Sequence, residues 1–236
     1  MNPLLLIQDL SSDLMPELTE LTQPAVETVN RINFFEMATK GGWIMIVLAI
    51  LLCLAVYIFI ERCLALHQAG KDNPNFMNRI KDYIHEGNIE SALKLCRQTE
   101  TPSARMVEKG ISRIGRPMSD VQVAIENLGN IEVSRLEKGL SLLAAVSGGA
   151  PMIGFLGTVL GMVRAFFDMA SAGNNVDITL LSSGIYTAMV TTVAGLIVGI
   201  LAYFAYNYLV ARVTKVVNKM ESYTMEFLDL LNEPAK

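Results

Sequence analysis

Thr158 and Thr192 each place a hydroxyl near the middle of a helical face made otherwise of small residues. Ser147, Pro151, Gly154, Thr158, Gly161 and Ala165 follow one another at intervals of three and four, which puts them on one side of a helix. Gly184, Ala188, Thr192, Gly195, Gly199 and Ala202 repeat the device. A hydroxyl both donates and accepts, so it can hydrogen-bond a titrating carboxyl group in either protonation state. The surrounding sequence has no such group of its own. No Asp, Glu, Lys, Arg or His occurs from Leu140 to Val163 or from Ile178 to Ala211. Intramembrane ionisable residues mark proton paths, so protons crossing here would need a titrating group supplied by a partner. Two uses of the small faces stay open at this level. They could be the tight contact between two helices of one subunit, or the wall of a narrow passage with room for a partner helix.

These residues need membrane helices to carry them. The chain has 236 residues, of which 52% are hydrophobic and 18% charged; a soluble domain averages about 25% charged. Three uncharged stretches are long enough to cross a hydrocarbon core of about 30 Å. The first runs from Trp43 to Ile60 between Lys40 and the Glu61–Arg62 pair, the second from Leu142 to Val163, and the third from Ile178 to Ala211. The pattern predicts an all-α membrane protein with three transmembrane helices, two of them extended beyond the membrane.

The expected division is 1–40 as an outward-facing amphipathic segment, 41–66 as the first transmembrane helix, 67–138 as a cytoplasmic helical domain, 139–170 as the second transmembrane helix, 171–177 as an outward-facing turn, 178–211 as the third transmembrane helix and 212–236 as a cytoplasmic C-terminal helix. Within 67–138, Asn73–Pro74 and Thr101–Pro102 read as capped helix starts. Gly87–Asn88 and 115–117 read as breaks, and Ser119 as an N-cap. Phe76, Ile80, Met106, Ile111 and Ile114 then line a small bundle. From Asp120 the apolar pattern runs through Gly129 and Gly139 into the second membrane stretch, which predicts one long helix ending near Met169. Basic residues gather at one side of the three stretches, including Arg62, Lys71, Arg135, Lys138, Arg212 and Lys215. That asymmetry predicts a cytoplasmic middle domain and C-terminus, with the N-terminus and the turn near Gly173 outside.

Several function classes drop out. A formal net charge of -4 argues against nucleic-acid binding. Cys53, Cys63 and Cys96 have no metal-ligand or CxxC spacing and read as free thiols. His67 and His85 lie in polar surroundings and form no catalytic constellation with a Ser, Cys or carboxylate, so neither enzymatic chemistry, a metal nor a cofactor is expected. A transporter built from inverted repeats would show internal repeats and interrupted helices; three unequal helices without a repeat do not fit it.

Three blocks carry a family resemblance: Glu132 to Leu140 leading into the second membrane helix, Pro151 to Met162 with its Gly-Thr-Val core, and Gly184 to Leu196 with Asn207 beyond it. Through them the chain resembles the ExbB/TolQ/MotA family of proton-channel subunits, within it the ExbB branch, from about Trp43 to Leu231. The resemblance implies a homopentameric ring in a bacterial inner membrane, around transmembrane helices of an ExbD-like partner that supplies one aspartate. It implies proton-driven work passed to a TonB-like protein, or, in the alternative, a TolQ-like role in envelope integrity. Thr158 and Thr192 match the family's pore-facing threonines. Many relatives carry a glutamate where this chain has Thr187, and a hydroxyl cannot exchange charge as a carboxylate does. On this reading Ser147, Pro151, Gly154, Gly161, Thr187, Ala188, Gly195 and Gly199 form pore or helix-packing faces. Val159 and Val198 belong to the bulky faces, and Thr191, about 100° round the helix from Thr192, lies off the small face.

Overall fold

A computed structural model describes residues 42–71, 75–171 and 178–232. The N-terminal segment 1–40, the Asn73–Pro74 helix start and the turn after Ser171 lie outside the described residues. The described residues form seven helices in order: α1 (Gly42–Ala69), α2 (Phe76–His85), α3 (Ile89–Thr99), α4 (Pro102–Ile111), α5 (Met118–Leu136), α6 (Leu140–Ser171) and α7 (Ile178–Asn232). The described chain is all-α, and three of its helical stretches are long and apolar enough to cross a membrane.

Helix α7 is the spine. Its 55 residues span about 82 Å at 1.5 Å per residue, more than twice a bilayer core. Along its membrane half it packs on α6 and α1, and along its polar half on α4, α5 and α2. The apolar stripe of the polar half is Val213, Val216, Met220, Phe227 and Leu230, all buried.

The small helices are punctuated as their residues dictate. Pro102 opens α4 behind Thr101, whose hydroxyl accepts the Ala104 N–H at 3.3 Å, so a missing proline N–H falls where none is needed. Asn88 caps α3 by accepting from the Ser91 N–H at 3.2 Å. Two expectations change. Helix α5 starts at Met118 with Pro117 at the N-cap position, so Ser119 is in the first turn and not the cap. Ile114 lies beyond the end of α4 and is exposed, while Val107, Gly110 and Ile111 face the core.

The predicted single helix from Asp120 to Met169 is two helices. The chain breaks at 137–139, where Gly139 takes φ +84°, a conformation open to glycine and costly for other residues. The apolar period on both sides of Gly139 is continuous, which is why the pattern alone reads through it. A methyl group at Gly139 would also touch Ile58 Cγ2 at 3.4 Å, so the break rests against α1.

Cys96 is buried in the bundle. Burial, and secondarily the charge of Glu108, pushes its thiol up to about 12, so it stays protonated and unreactive at neutral pH. At the centre of the bundle α4 crosses α5 and α7 at Gly110. A methyl there would lie 2.8 Å from Ile125 Cδ1 and would collide with the Phe227 ring; Phe227 is fully buried. Gly110→Val is therefore expected to overpack this crossing and to cost about 1–3 kcal/mol. The check is thermal unfolding in detergent: an unchanged midpoint would show that α7 is not seated on α4.

Candidate functional site

The two small faces close on each other. At Gly154 and Gly195 the α6–α7 contact is backbone to backbone. A methyl group on Gly154 would sit 2.9 Å from the Thr191 carbonyl oxygen and 3.1 Å from Gly195 Cα. One on Gly195 would sit 2.7 Å from the Ala150 carbonyl oxygen and 2.8 Å from Gly154 Cα. These are backbone atoms and cannot yield, so glycine is required on both sides for the helices to come this close. Towards the turn, Gly161 faces Ala188, and Gly184 faces Ala165. Towards the polar domain, Gly199 accommodates the Pro151 ring and the Ser147 carbonyl. Pro151 has no N–H to give that carbonyl.

The structure thus brings Ser147, Pro151, Gly154, Gly161, Ala188, Gly195 and Gly199 into one contact within a single chain, without room for a further helix between α6 and α7. Thr187 is half-buried beside it. The hydroxyls lie at its margin. Thr192 Oγ1 donates across the contact to the Gly154 carbonyl at 3.1 Å. Thr158 Oγ1 donates to the Phe155 carbonyl of its own helix at 2.6 Å. Both residues are half-buried. With their protons placed on main-chain carbonyls, both hydroxyls keep lone pairs able to accept a hydrogen bond.

Two expectations about the faces fail. Thr191 was expected off the packed face, yet it is among the most buried residues of the protein. Its hydroxyl donates to the Ala188 carbonyl at 2.8 Å, and its side chain presses on Gly157. Val198, assigned to the bulky face, is buried as well, whereas Val159 is exposed. The packed line on α6 is Ala150, Gly154, Gly157, Gly161 and Ala165, which leaves Thr158 at its edge. The signal was available: Gly157 continues the spacing from Gly154 as well as Thr158 does.

Just beyond the membrane stretch lies a second feature that the spacing of apolar residues concealed. Glu132 is 1% exposed. It falls in register with Val121, Ile125, Gly129 and Leu136 on the buried side of α5. Arg105 holds it with both arms, Nε to Oε1 at 3.0 Å and Nη2 to Oε2 at 2.6 Å. Arg135 Nη1 donates to Oε1 at 2.9 Å. Arg62, at the polar end of α1, donates to the Arg135 carbonyl at 3.0 Å. A buried carboxylate needs such pairing, and here the pairing joins α4, α5 and α1 one turn before the 137–139 break.

Residues 98–222 match the model of the MotA/TolQ/ExbB proton channel family. The chain belongs to that family. Among curated relatives of the MotA/TolQ/ExbB family it is similar to the putative biopolymer transport protein ExbB homolog of Methanothermobacter thermautotrophicus, 29% identical over 80% of this chain and 69% of that one. The biopolymer transport protein ExbB of Neisseria gonorrhoeae is 26% identical over 69% of this chain and 78% of its own length. The Tol-Pal system protein TolQ of Haemophilus influenzae is 28% identical over 86% and 96%. The family assignment makes this a multi-pass membrane protein of the proton-channel class. The matched span includes Arg105, Glu132 and Arg135 as well as the α6–α7 contact.

The glycine assignment has a direct test. Gly161→Leu or Gly195→Leu is expected to force α6 and α7 apart and to abolish stable assembly, while Val159→Leu and Val193→Leu, on exposed faces, leave it intact. Gel filtration of the detergent-purified variants reads this out, and equal tolerance at all four positions would reject the contact.

Proposed function

We propose that this chain is the ring-forming subunit of an inner-membrane motor in which proton motive force acts on a partner held among several copies, energising TonB-dependent outer-membrane transport. The observation that carries the reading is the pairing of two half-buried threonine hydroxyls with membrane stretches that contain no ionisable side chain. A proton cannot cross hydrocarbon bare, so the titrating group comes from outside the chain. An ExbD-like protein with an aspartate in its membrane helix supplies the right chemistry. The neutral acid donates to a threonine lone pair. The ionised acid accepts a hydrogen bond from the hydroxyl instead, once Thr158 or Thr192 releases its main-chain carbonyl.

Because α6 and α7 leave no gap within one chain, the partner's place is between copies, around a central passage. A homopentamer with the polar domain in the cytoplasm and the N-terminus in the periplasm is the arrangement that the family resemblance and the basic-residue asymmetry support. Thr187, in place of a glutamate common among relatives, gives the ring no carboxylate of its own at that level. A TolQ-like role in envelope integrity is the second reading, favoured by the near-complete length of the Haemophilus TolQ that the chain matches. Pull-down from native membranes and identification of the bound single-span partner decides between them.

Thr158→Val and Thr192→Val keep the side-chain shape and delete the hydroxyl. Each is expected to abolish energised uptake with the complex still assembled; wild-type uptake in both would remove the threonines from the path. Thr191→Val removes a buried hydrogen bond worth about 1 kcal/mol and is expected to lower thermal stability.

The lone ring in liposomes under an imposed pH gradient is expected to conduct no better than empty liposomes. Co-reconstitution with the aspartate-bearing partner restores flux, and replacing that aspartate by asparagine removes it. Robust flux through the ring alone would refute the partner-borne proton and point to a hydrated lumen lined by Thr158, Thr187 and Thr192.

A further inference from the structure

A cavity of about 360 Å³ opens between the polar end of α1 and the middle of α7. Lys71, Arg212, Lys215 and Lys219 line it, and among the described residues no acidic side chain does. Its floor is apolar, with Leu209 fully buried and Val216 8% exposed. The Tyr208 hydroxyl accepts from Arg212 Nε at 3.1 Å and Nη2 at 2.9 Å. That clamp holds the guanidinium at the rim, where its remaining N–H groups are available to an anion. Gly70 lies on the same wall of the cavity as His67 and Lys71.

The position of the cavity in the membrane decides the ligand. On α1 the uncharged run ends at Ile60, and on α7 it ends at Ala211, the residue before Arg212. Arg212 therefore stands where hydrocarbon gives way to headgroups, and Lys215 and Lys71 follow on the polar side of it. Ile60 and Leu64 on α1 and Phe204 on α7 are exposed and apolar, and they give acyl chains a surface beside the cations. A soluble phosphate would need the cations and leave the apolar surface without a use. A phospholipid uses both. Arginine and lysine near a membrane surface attract anionic lipid, and a guanidinium fixed by a phenol matches phosphate oxygens.

We propose that this cavity is a binding site for the phosphate headgroup of an anionic phospholipid in the leaflet on the side of the α2–α5 domain. The lipid bridges α1 to α7 through Lys71 on one and Arg212 and Lys215 on the other. It neutralises the like charges of Lys71, Arg212 and Lys215 around the cavity, and so favours docking of α1 on the α7 spine.

The test uses the full chain purified in mild detergent. The protein is incubated with phosphatidylglycerol or phosphatidylcholine of the same acyl chains, and retained lipid is counted by native mass spectrometry. The wild type is expected to retain phosphatidylglycerol. The double variant R212Q/K215Q is expected to lose on the order of tenfold in retention. The control pair K94Q/R116Q makes the same change of charge on exposed residues of the polar domain and is expected to behave as wild type. Equal loss in both double variants would reduce the effect to net charge and overturn the site, as would retention that neither alters. Inorganic phosphate retained by the wild type in place of lipid would assign the cavity to a free anion and overturn the lipid. Should R212Q/K215Q elute as aggregate, the single variant K215Q carries the same comparison, with helix content by circular dichroism as the check on folding.

Discussion

The close approach of two backbones at Gly154 and Gly195 is the constraint on which the rest of the membrane half depends. In hydrocarbon there is no hydrophobic force to bring helices together, because lipid tails are as apolar as leucine. What remains is van der Waals contact, and it grows as side chains are removed from the interface. Each glycine here has main-chain atoms of the other helix where its Cβ would be, so the contact tolerates nothing larger. Thr192 adds one hydrogen bond across it. The consequence for function is geometric. A contact this close excludes a passage within the chain, and the large apolar side chains turned outward, among them Phe155, Leu156, Leu196 and Ile197, are left for lipid or neighbouring copies.

The polar half is organised by the opposite kind of interaction. Glu132 is a charge taken out of water, and it is held only because Arg105 and Arg135 reach it with good geometry. Removing one partner of such a group leaves an uncompensated buried charge and costs about 3–5 kcal/mol. This contact ties the small helices to α5 about two turns before Gly139, where the chain turns into the membrane. Arg62 adds α1 to the same point through the Arg135 carbonyl. Motion of α6 relative to the polar domain must therefore pass through a junction with a glycine joint on one side and an arginine-clamped carboxylate on the other.

Much of this was legible in the residues. Thr101–Pro102 marked a helix start because a cap and a first-turn proline act locally, within three residues. The three membrane stretches were plain because lipid forbids charge over twenty residues at a time. The small faces were visible as spacing, but spacing cannot say what a face meets. Gly157 and Thr158 are neighbours that both satisfy the interval from Gly154, and only the partner helix decides that Gly157 lies inside the contact. Thr191 and Thr192 divide in the same way. Glu132 was hidden because a carboxylate in line with Val121, Ile125 and Gly129 reads as an interruption of the stripe until Arg105, 27 residues away, is folded against it. Gly139 was passed over because its apolar neighbours keep helical phase across the break, and a positive φ leaves no trace in periodicity.

On the motor reading proposed above, the arrangement of hydroxyls also bears on why this chain carries threonine and no acid in its membrane stretches. A carboxylate fixed in the wall would compete with a partner's aspartate for the proton and would hold it at one place. A threonine whose proton rests on a main-chain carbonyl offers a weak, neutral acceptor that costs little to leave. Thr158, bound to its own helix at Phe155, and Thr192, bound across to Gly154, sit on two different helices of every copy. A ring of copies would then repeat these shallow stations at intervals around the passage. An aspartate that is neutral can step between them, while the ionised form, which apolar walls exclude, is confined to where water or a cation reaches it. The difference between those two states, and not any strong site on this chain, is what would let a proton gradient give the partner's movement a direction.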